Sequence, residues 1–218
     1  MSLFNKLSRI SRKRKLELFY QVMNPTAQTK VLDIGAEING ESKDGLLKFA
    51  DSYPWKNNLT AFNISAEHIE SIKQRYPEIK AVVGNACNLP WPDKYFDIAY
   101  SNAVIEHVGD LAKQKQMALE IMRVAKRWFI TTPNRWYPFE FHLRLPFVTW
   151  LPGRTYLWVG NFIRYNHSKK KYMFMAKHYD VRLMTAKELA QCFSDSKIIK
   201  QRVTFMAETL IVVGETYD

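Results

Sequence analysis

Lys30-Val-Leu-Asp-Ile-Gly35 is a short, nearly continuous apolar run that ends in glycine. A strand with one wet face alternates apolar and polar side chains; this run does not, so it fits a parallel strand buried on both faces. Downstream, Leu59-Thr-Ala-Phe-Asn63 is a second strand, and Ser65 stands as N-cap before a helix over Ala66–Arg75 with Ile69 and Ile72 on one face and Pro77 beyond its end. Ala81–Gly84 and Phe96–Tyr100 are the third and fourth strands, separated by Leu89-Pro-Trp-Pro-Asp93, whose prolines exclude regular structure. Further helices are expected near Lys43–Ala50 and over Leu111–Ala125, and a fifth strand over Arg127–Thr131. Thr185 with Glu188 has capping-box spacing and opens a helix over Ala186–Phe193, before a closing strand pair, Lys197–Thr204 and Thr209–Val213. Strands alternating with helices define an α/β chain with a Rossmann-like, mostly parallel sheet and helices on both faces.

The 218 residues and 47% hydrophobic content suit one domain spanning 1–218. No apolar stretch reaches membrane-span length and no apolar leader core opens the chain, so a cytoplasmic protein is expected. Cys87 and Cys192 lie far apart without metal-ligand spacing and read as buried thiols; no metal site is expected. The net charge of +11 is localised. Residues 1–15 carry six basic side chains and no acid, within a basic helical arm over 1–27. Residues 134–182 carry nine basic and two acidic side chains together with 13 of the 30 aromatic residues, and read as an insertion after the fifth strand.

Ligands of an open α/β sheet sit outside the carboxyl ends of the strands. The residues at those ends are Asp33, Gly35, Ala36, Glu37 and Gly40 after the first strand, Asn63 and Ile64 after the second, Asn85 and Ala86 after the third, and Ser101 and Asn102 after the fourth. Singly, Gly35 can be a strand terminator and Asn63 a turn cap. Four polar strand ends in register point instead to a nucleoside cofactor.

Val31–Gly35, Phe62-Asn-Ile-Ser65, Val83-Gly-Asn-Ala86, Leu89-Pro-Trp-Pro-Asp-Lys-Tyr-Phe-Asp97 and Ser101-Asn-Ala-Val-Ile-Glu-His-Val108 together resemble the class I S-adenosylmethionine-dependent methyltransferases of the small-molecule, ubiquinone-methyltransferase-like branch. The resemblance covers roughly residues 28–133. It implies a seven-stranded sheet with the last strand antiparallel, S-adenosyl-L-methionine as cofactor, and the strand-end residues just named as its site. Two departures stand out. Glu37 and Asn39 replace residues of the family's Gly-x-Gly-x-Gly, and Asn63 and Asn85 replace the acids that meet the ribose hydroxyls and the adenine amino group. Restoring an acid at 63 is therefore expected to strengthen cofactor binding through charge assistance.

A methyl sulfonium is already activated, so alignment does most of the work and a base is needed only where the acceptor must lose a proton. Candidates are Glu106 and His107 after the fourth strand and Glu140 and His142 after the fifth. The expected acceptor is small or lipid-linked, covered by the insertion, which with the basic arm is expected to contact an anionic membrane surface. A non-catalytic binding module and an RNA-associated methyltransferase are the alternatives; the Asn-Pro-Pro-Tyr-like tetrapeptide of many base-modifying enzymes is absent, with Ser101-Asn-Ala-Val104 in its place.

Overall fold

The fold is given by a computed structural model that describes residues 3–38, 48–166, 171–174 and 179–216. In chain order the elements are α1 (Leu3–Met23), β1 (Val31–Ile34), α2 (Phe49–Ser52), β2 (Leu59–Asn63), α3 (Ala66–Arg75), β3 (Lys80–Val83), β4 (Phe96–Asn102), α4 (Leu111–Val124), β5 (Ala125–Pro133), β6 (Phe139–Glu140), β7 (Leu145–Pro146), α5 (Gly153–Phe162), β8 (Ile163–Asn166), β9 (Lys171–Phe174), α6 (Ala186–Cys192), β10 (Lys197–Arg202) and β11 (Ala207–Glu215). Seven strands make one sheet in the order β10-β11-β5-β4-β1-β2-β3, and β11 alone runs against the others. All four residues of β1 are buried, as a two-sided parallel strand requires.

The predicted elements are present with shifted ends. Ser65 caps α3 and the Thr185–Glu188 box caps α6. The helix expected to end at Ala125 stops at Val124, and β5 starts one residue later because Ala125 is already in register with Phe96 of β4. Strand β5 then runs to Pro133, since β4 and β11 supply partners on both edges. Most of the helix expected near Lys43–Ala50 lies outside the described residues; Phe49–Ser52 is helical. Cys87 and Cys192 are both buried thiols. Among the described residues no helix is long and apolar enough to cross a membrane.

The basic arm is folded onto the sheet. Ser11, Lys15, Phe19 and Met23 recur every fourth position of α1, one stripe of a helix, and all four are buried. Phe19 meets Phe49, Tyr100 and Phe129 edge-on at 5.1–5.6 Å. The helix ends where Asn24 turns left-handed (φ 41°) and Pro25 follows. In the insertion, Leu143, Tyr156, Tyr179, Val181 and Leu183 form a small core, closed by contact of Gly160 with Tyr179, whose ring lies where a side chain at 160 would stand. Trp136, Phe147, Trp150, Trp158, Phe162 and Phe174 remain exposed, so the aromatics divide between a local core and an uncovered face.

Phe19→Ala is expected to lower unfolding stability by about 3–5 kcal/mol, the cost of emptying a buried aromatic site, whereas Trp158→Ala should stay within about 0.5 kcal/mol. Urea titration followed by circular dichroism measures both.

Candidate active site

Gly35 leaves β1 with φ 79°, a conformation side chains rarely adopt, and a Cβ there would stand 2.2 Å from Val104 Cγ2. The glycine therefore lets the first strand end pass beneath the loop after β4, rather than simply clearing space for a ligand. Its N–H and that of Ala36 both donate to Phe62 O, at 2.7 and 3.1 Å, clamping the loop to the end of β2.

Asn63 completes that clamp. Its amide donates to Ala36 O at 2.8 Å and its carbonyl accepts from Ser65 N at 2.9 Å. An aspartate could make only the second bond. The asparagine thus has a structural reason to stand where the resembled family has an acid, and the expected gain from restoring charge meets a lost donor and a carboxylate facing a carbonyl. Asn85 likewise turns its carbonyl onto Cys87 N at 2.9 Å. Ser101 is fully buried and donates to Ile34 O, so it holds the sheet together and does not line the site. Ala36 and Ala86 are buried, Ile64 is 74% exposed at the lip beside Asn63, and Gly40 lies outside the described residues.

Asp33, Glu37 and Asn102 line a small cavity together with Arg12, Lys15, Lys48, Phe49 and Tyr100. Burial pushes the Asp33 carboxyl up to about 7, with Lys48 pulling the other way. Burial and the neighbouring Arg12 bring Lys15 down to about 8, against Glu106 and Glu208. Lys48 also stands at about 8, lowered by burial and Arg12 while Asp51 and Asp33 oppose, and it is ion-paired with Glu37. Lys15 donates to Asn102 Oδ1 at 2.7 Å, which also accepts from Thr131 Oγ1 at 2.8 Å. A buried Asp33 and a partly exposed Glu37 beside three cations suit a zwitterionic amino-acid end of the kind S-adenosylmethionine carries. The cavity measures about 30 Å³, room for about one water, so Arg12, Lys15 and Lys48 must swing aside as a ligand enters. Position in a basic run hid Arg12 and Lys15 from sequence reading; for Lys15 the buried stripe of α1 was the available signal.

A second cavity of about 570 Å³ adjoins the first and shares Arg12, Lys15 and Asn102 with it. Its walls come from α1, the ends of β4 and β5, Tyr137, Phe139, Phe141, His142 and Arg144 of the insertion, and the β10–β11 turn. Glu140 is buried, pairs with His142 Nδ1 at 2.7 Å, accepts from Leu143 N, and lies 3.5 Å from Tyr156 OH, which bonds Tyr179 OH at 2.6 Å. Burial pulls the His142 imidazole down, but the Glu140 hydrogen bond and the charges of Glu140 and Glu106 outweigh it and leave it above its ordinary value. Desolvation by the groups packed around its ring holds His107, though exposed along one edge, below its own. The two rings meet edge-on at 4.9 Å. Glu106 is fully buried and accepts from Thr132 Oγ1 at 3.0 Å through Oε2. The four catalytic candidates, read from two separate strand ends, therefore converge.

Sheet order and strand-end loops place a small polar cavity beside a larger chamber at the carboxyl edge of the sheet, where an open α/β sheet takes its ligands. Residues 32–128 match the methyltransferase domain family. A probable S-adenosylmethionine-dependent methyltransferase of Mycobacterium tuberculosis is 28% identical over 86 residues, 39% of this chain and 27% of that protein, and a counterpart from Mycolicibacterium smegmatis is 29% identical over the same length. The chain thus matches less than a third of the length of these curated relatives. Among solved structures, PH0226 from Pyrococcus horikoshii superposes over 95% of this chain and 90% of its own with a TM-score of 0.60 at 17% identity. An S-adenosylmethionine-dependent methyltransferase from Clostridium acetobutylicum does so over 95% and 91% with a TM-score of 0.59 at 9% identity. These likenesses show the same fold. Residues 32–128 are thus similar to a methyltransferase domain, and S-adenosylmethionine is the cofactor that this similarity implies.

Asn63→Asp is expected to lower stability by about 1–3 kcal/mol, because Ala36 O loses its donor, and to leave cofactor affinity no tighter; urea unfolding and calorimetry read the two effects. An ionised Asp33 attracts the ligand's ammonium and a protonated one does not. S-adenosylhomocysteine affinity should therefore rise between about pH 6 and about pH 8 as Asp33 loses its proton. Lys15, Lys48, Arg12, Glu37 and Tyr100 face the same cavity, so the Asp33→Asn variant, which should flatten the rise, isolates the contribution of the carboxyl.

Proposed function

We propose that the chain transfers a methyl group from S-adenosylmethionine to a small or lipid-linked acceptor held in the larger cavity. The supporting observation is that the two cavities share Arg12, Lys15 and Asn102 as lining, so that an acceptor in the larger one would stand beside the cofactor pocket at the carboxyl ends of β4 and β5. Its volume, about 570 Å³, falls in the range of sites that enclose a drug-sized molecule or the end of a longer one. When bound, S-adenosylmethionine supplies an activated methyl group.

The chain's own residues bind, align and deprotonate. Tyr137, Phe139 and Phe141 offer aromatic walls, with Arg144 beside them. With His142 Nδ1–H donating to Glu140, Nε2 is the basic nitrogen presented to an acceptor hydroxyl or amine, and Glu140 fixes the tautomer and stabilises the imidazolium once the proton arrives. His107 meets the His142 ring edge-on, with the buried Glu106 next to it in the chain.

The lipid-linked reading draws on the exposed face of the insertion. Trp158 stacks on Phe162, which meets Phe174, and all three are exposed, with Arg154 and Lys171 exposed nearby in the chain. Tyr172 bonds Arg144 O at 2.9 Å, tying this hairpin to the cavity wall. Basic side chains near an anionic bilayer contribute roughly 1 kcal/mol each. Arm residues are poorer candidates for that contact, since Lys15 is buried and Arg14 donates to Arg202 O at 2.7 Å. Lys169 and Lys170 lie outside the described residues.

Methyl-labelled S-adenosylmethionine incubated with fractionated small molecules, lipids and RNA should label the first or second class. His142→Ala should reduce that transfer by about 10²–10⁴-fold, the usual worth of a positioned base, while S-adenosylhomocysteine affinity stays unchanged. Label in RNA alone would reject the acceptor class.

A further inference from the structure

We propose that Glu106, His107 and His142 bind a divalent first-row transition metal ion at the rim of the larger cavity. Each offers one ligand atom, and no two of these atoms are more than 4.8 Å apart. Two imidazole nitrogens and one carboxylate oxygen form a donor set suited to Zn²⁺, and three protein ligands leave a position for a further oxygen donor.

A second, independent observation points to a cation. Glu106 is fully buried, and its Oε1 has no hydrogen-bond partner among the described residues. An orphaned buried carboxylate oxygen is costly, and a metal ion is one of the few partners that satisfies it. The other oxygen, Oε2, is already held by the Thr132 hydroxyl, which fixes the plane of the carboxylate.

The surroundings are those of a supported ligand set. Glu140 holds His142 through Nδ1, the carboxylate–histidine pairing that sets which ring nitrogen faces a metal and makes it a better donor. Tetrahedral Zn²⁺ with bonds of about 2.0–2.1 Å needs its donors about 3.4 Å apart, so the ion draws the three side chains inward from their metal-free spacing. His142 lines the acceptor cavity, which places the open coordination position toward the acceptor.

This inference rests on the acceptor-cavity reading only for its role. With the ion bound, His142 Nε2 is a ligand and no longer the base; the metal would take the acceptor's oxygen as a further ligand and lower the affinity of that oxygen for its proton, so that the proton leaves to solvent or buffer while the oxygen becomes nucleophilic. Binding itself is independent of methyl transfer, and so is its test.

Full-length protein, tag removed and treated with chelator, is titrated with Co²⁺, followed by its visible d–d absorption, and with Zn²⁺ by competition, in the absence of cofactor and acceptor. One ion per chain is expected. His142→Ala, His107→Ala and Glu106→Gln should each weaken it more than a hundredfold, Glu140→Gln about 10–100-fold as an outer-shell partner, and His68→Ala not at all. Because Glu106→Gln touches a buried group, circular dichroism of each variant is compared first, and the half-buried His142 decides if the glutamine variant fails to fold. No Co²⁺ or Zn²⁺ uptake by wild type in large molar excess overturns the proposal, as does uptake unchanged in His142→Ala. S-adenosylhomocysteine calorimetry on the same samples reports separately on the methyltransferase reading.

Discussion

Parallel pairing of β4 with β1 on one side and β5 on the other is the constraint from which the site follows. Strands that run the same way end at the same edge, so Asp33, Asn63, Asn102 and the Thr131–Thr132 pair reach one rim although far apart in sequence. Registers made by backbone hydrogen bonds hold that rim more firmly than loops alone would. The loops are fastened in turn: Gly35 and Ala36 to Phe62 O, Ala103 N to Thr131 O at 2.8 Å, and Arg182 N to Glu106 O at 2.8 Å.

The remaining wall is α1, and its chemistry is divided along its length. Phe19 and Met23 are buried in the apolar core, while one and two turns earlier Lys15 and Ser11 occupy the same stripe beside polar strand ends. Lys15 bonds Asn102, and Ser11 joins Glu208 and Gln201, with contacts of 2.9–3.2 Å. A positive charge buried in this way is eased by the Asn102 acceptor and by the charges of Glu106 and Glu208. The insertion uses the opposite arrangement: Tyr156 and Tyr179 are inside, bonded to one another near Glu140, and its tryptophans are outside.

Much of the sheet was legible because its signals are local. A two-sided apolar run, a Ser65 cap, a Thr185–Glu188 box and two prolines in 89–93 each act within a few residues. What could not be read was set by contacts between distant positions. Asn63 looked like a weakened ribose ligand until its bond to Ala36 O gave it a second task, and Ser101 looked like a site residue until it turned inward to Ile34 O. The basic run at 6–15 read as an arm for an anionic surface because charge counting ignores helical phase; the four-residue spacing of Ser11, Lys15, Phe19 and Met23 shows the face that packs on the sheet. Glu106-His107 and Glu140-x-His142 were each visible as pairs, but nothing along the chain shows that two strand ends bring them together.

Three groups, Arg12, Lys15 and Asn102, belong to both cavities at once. A ligand that moves them on entering one chamber changes the free energy of filling the other, and thermodynamic linkage makes that influence equal in both directions. Occupancy of the two chambers is then cooperative or antagonistic by construction. The sign depends on whether the first arrival leaves the two cations on α1 better or worse placed for the second.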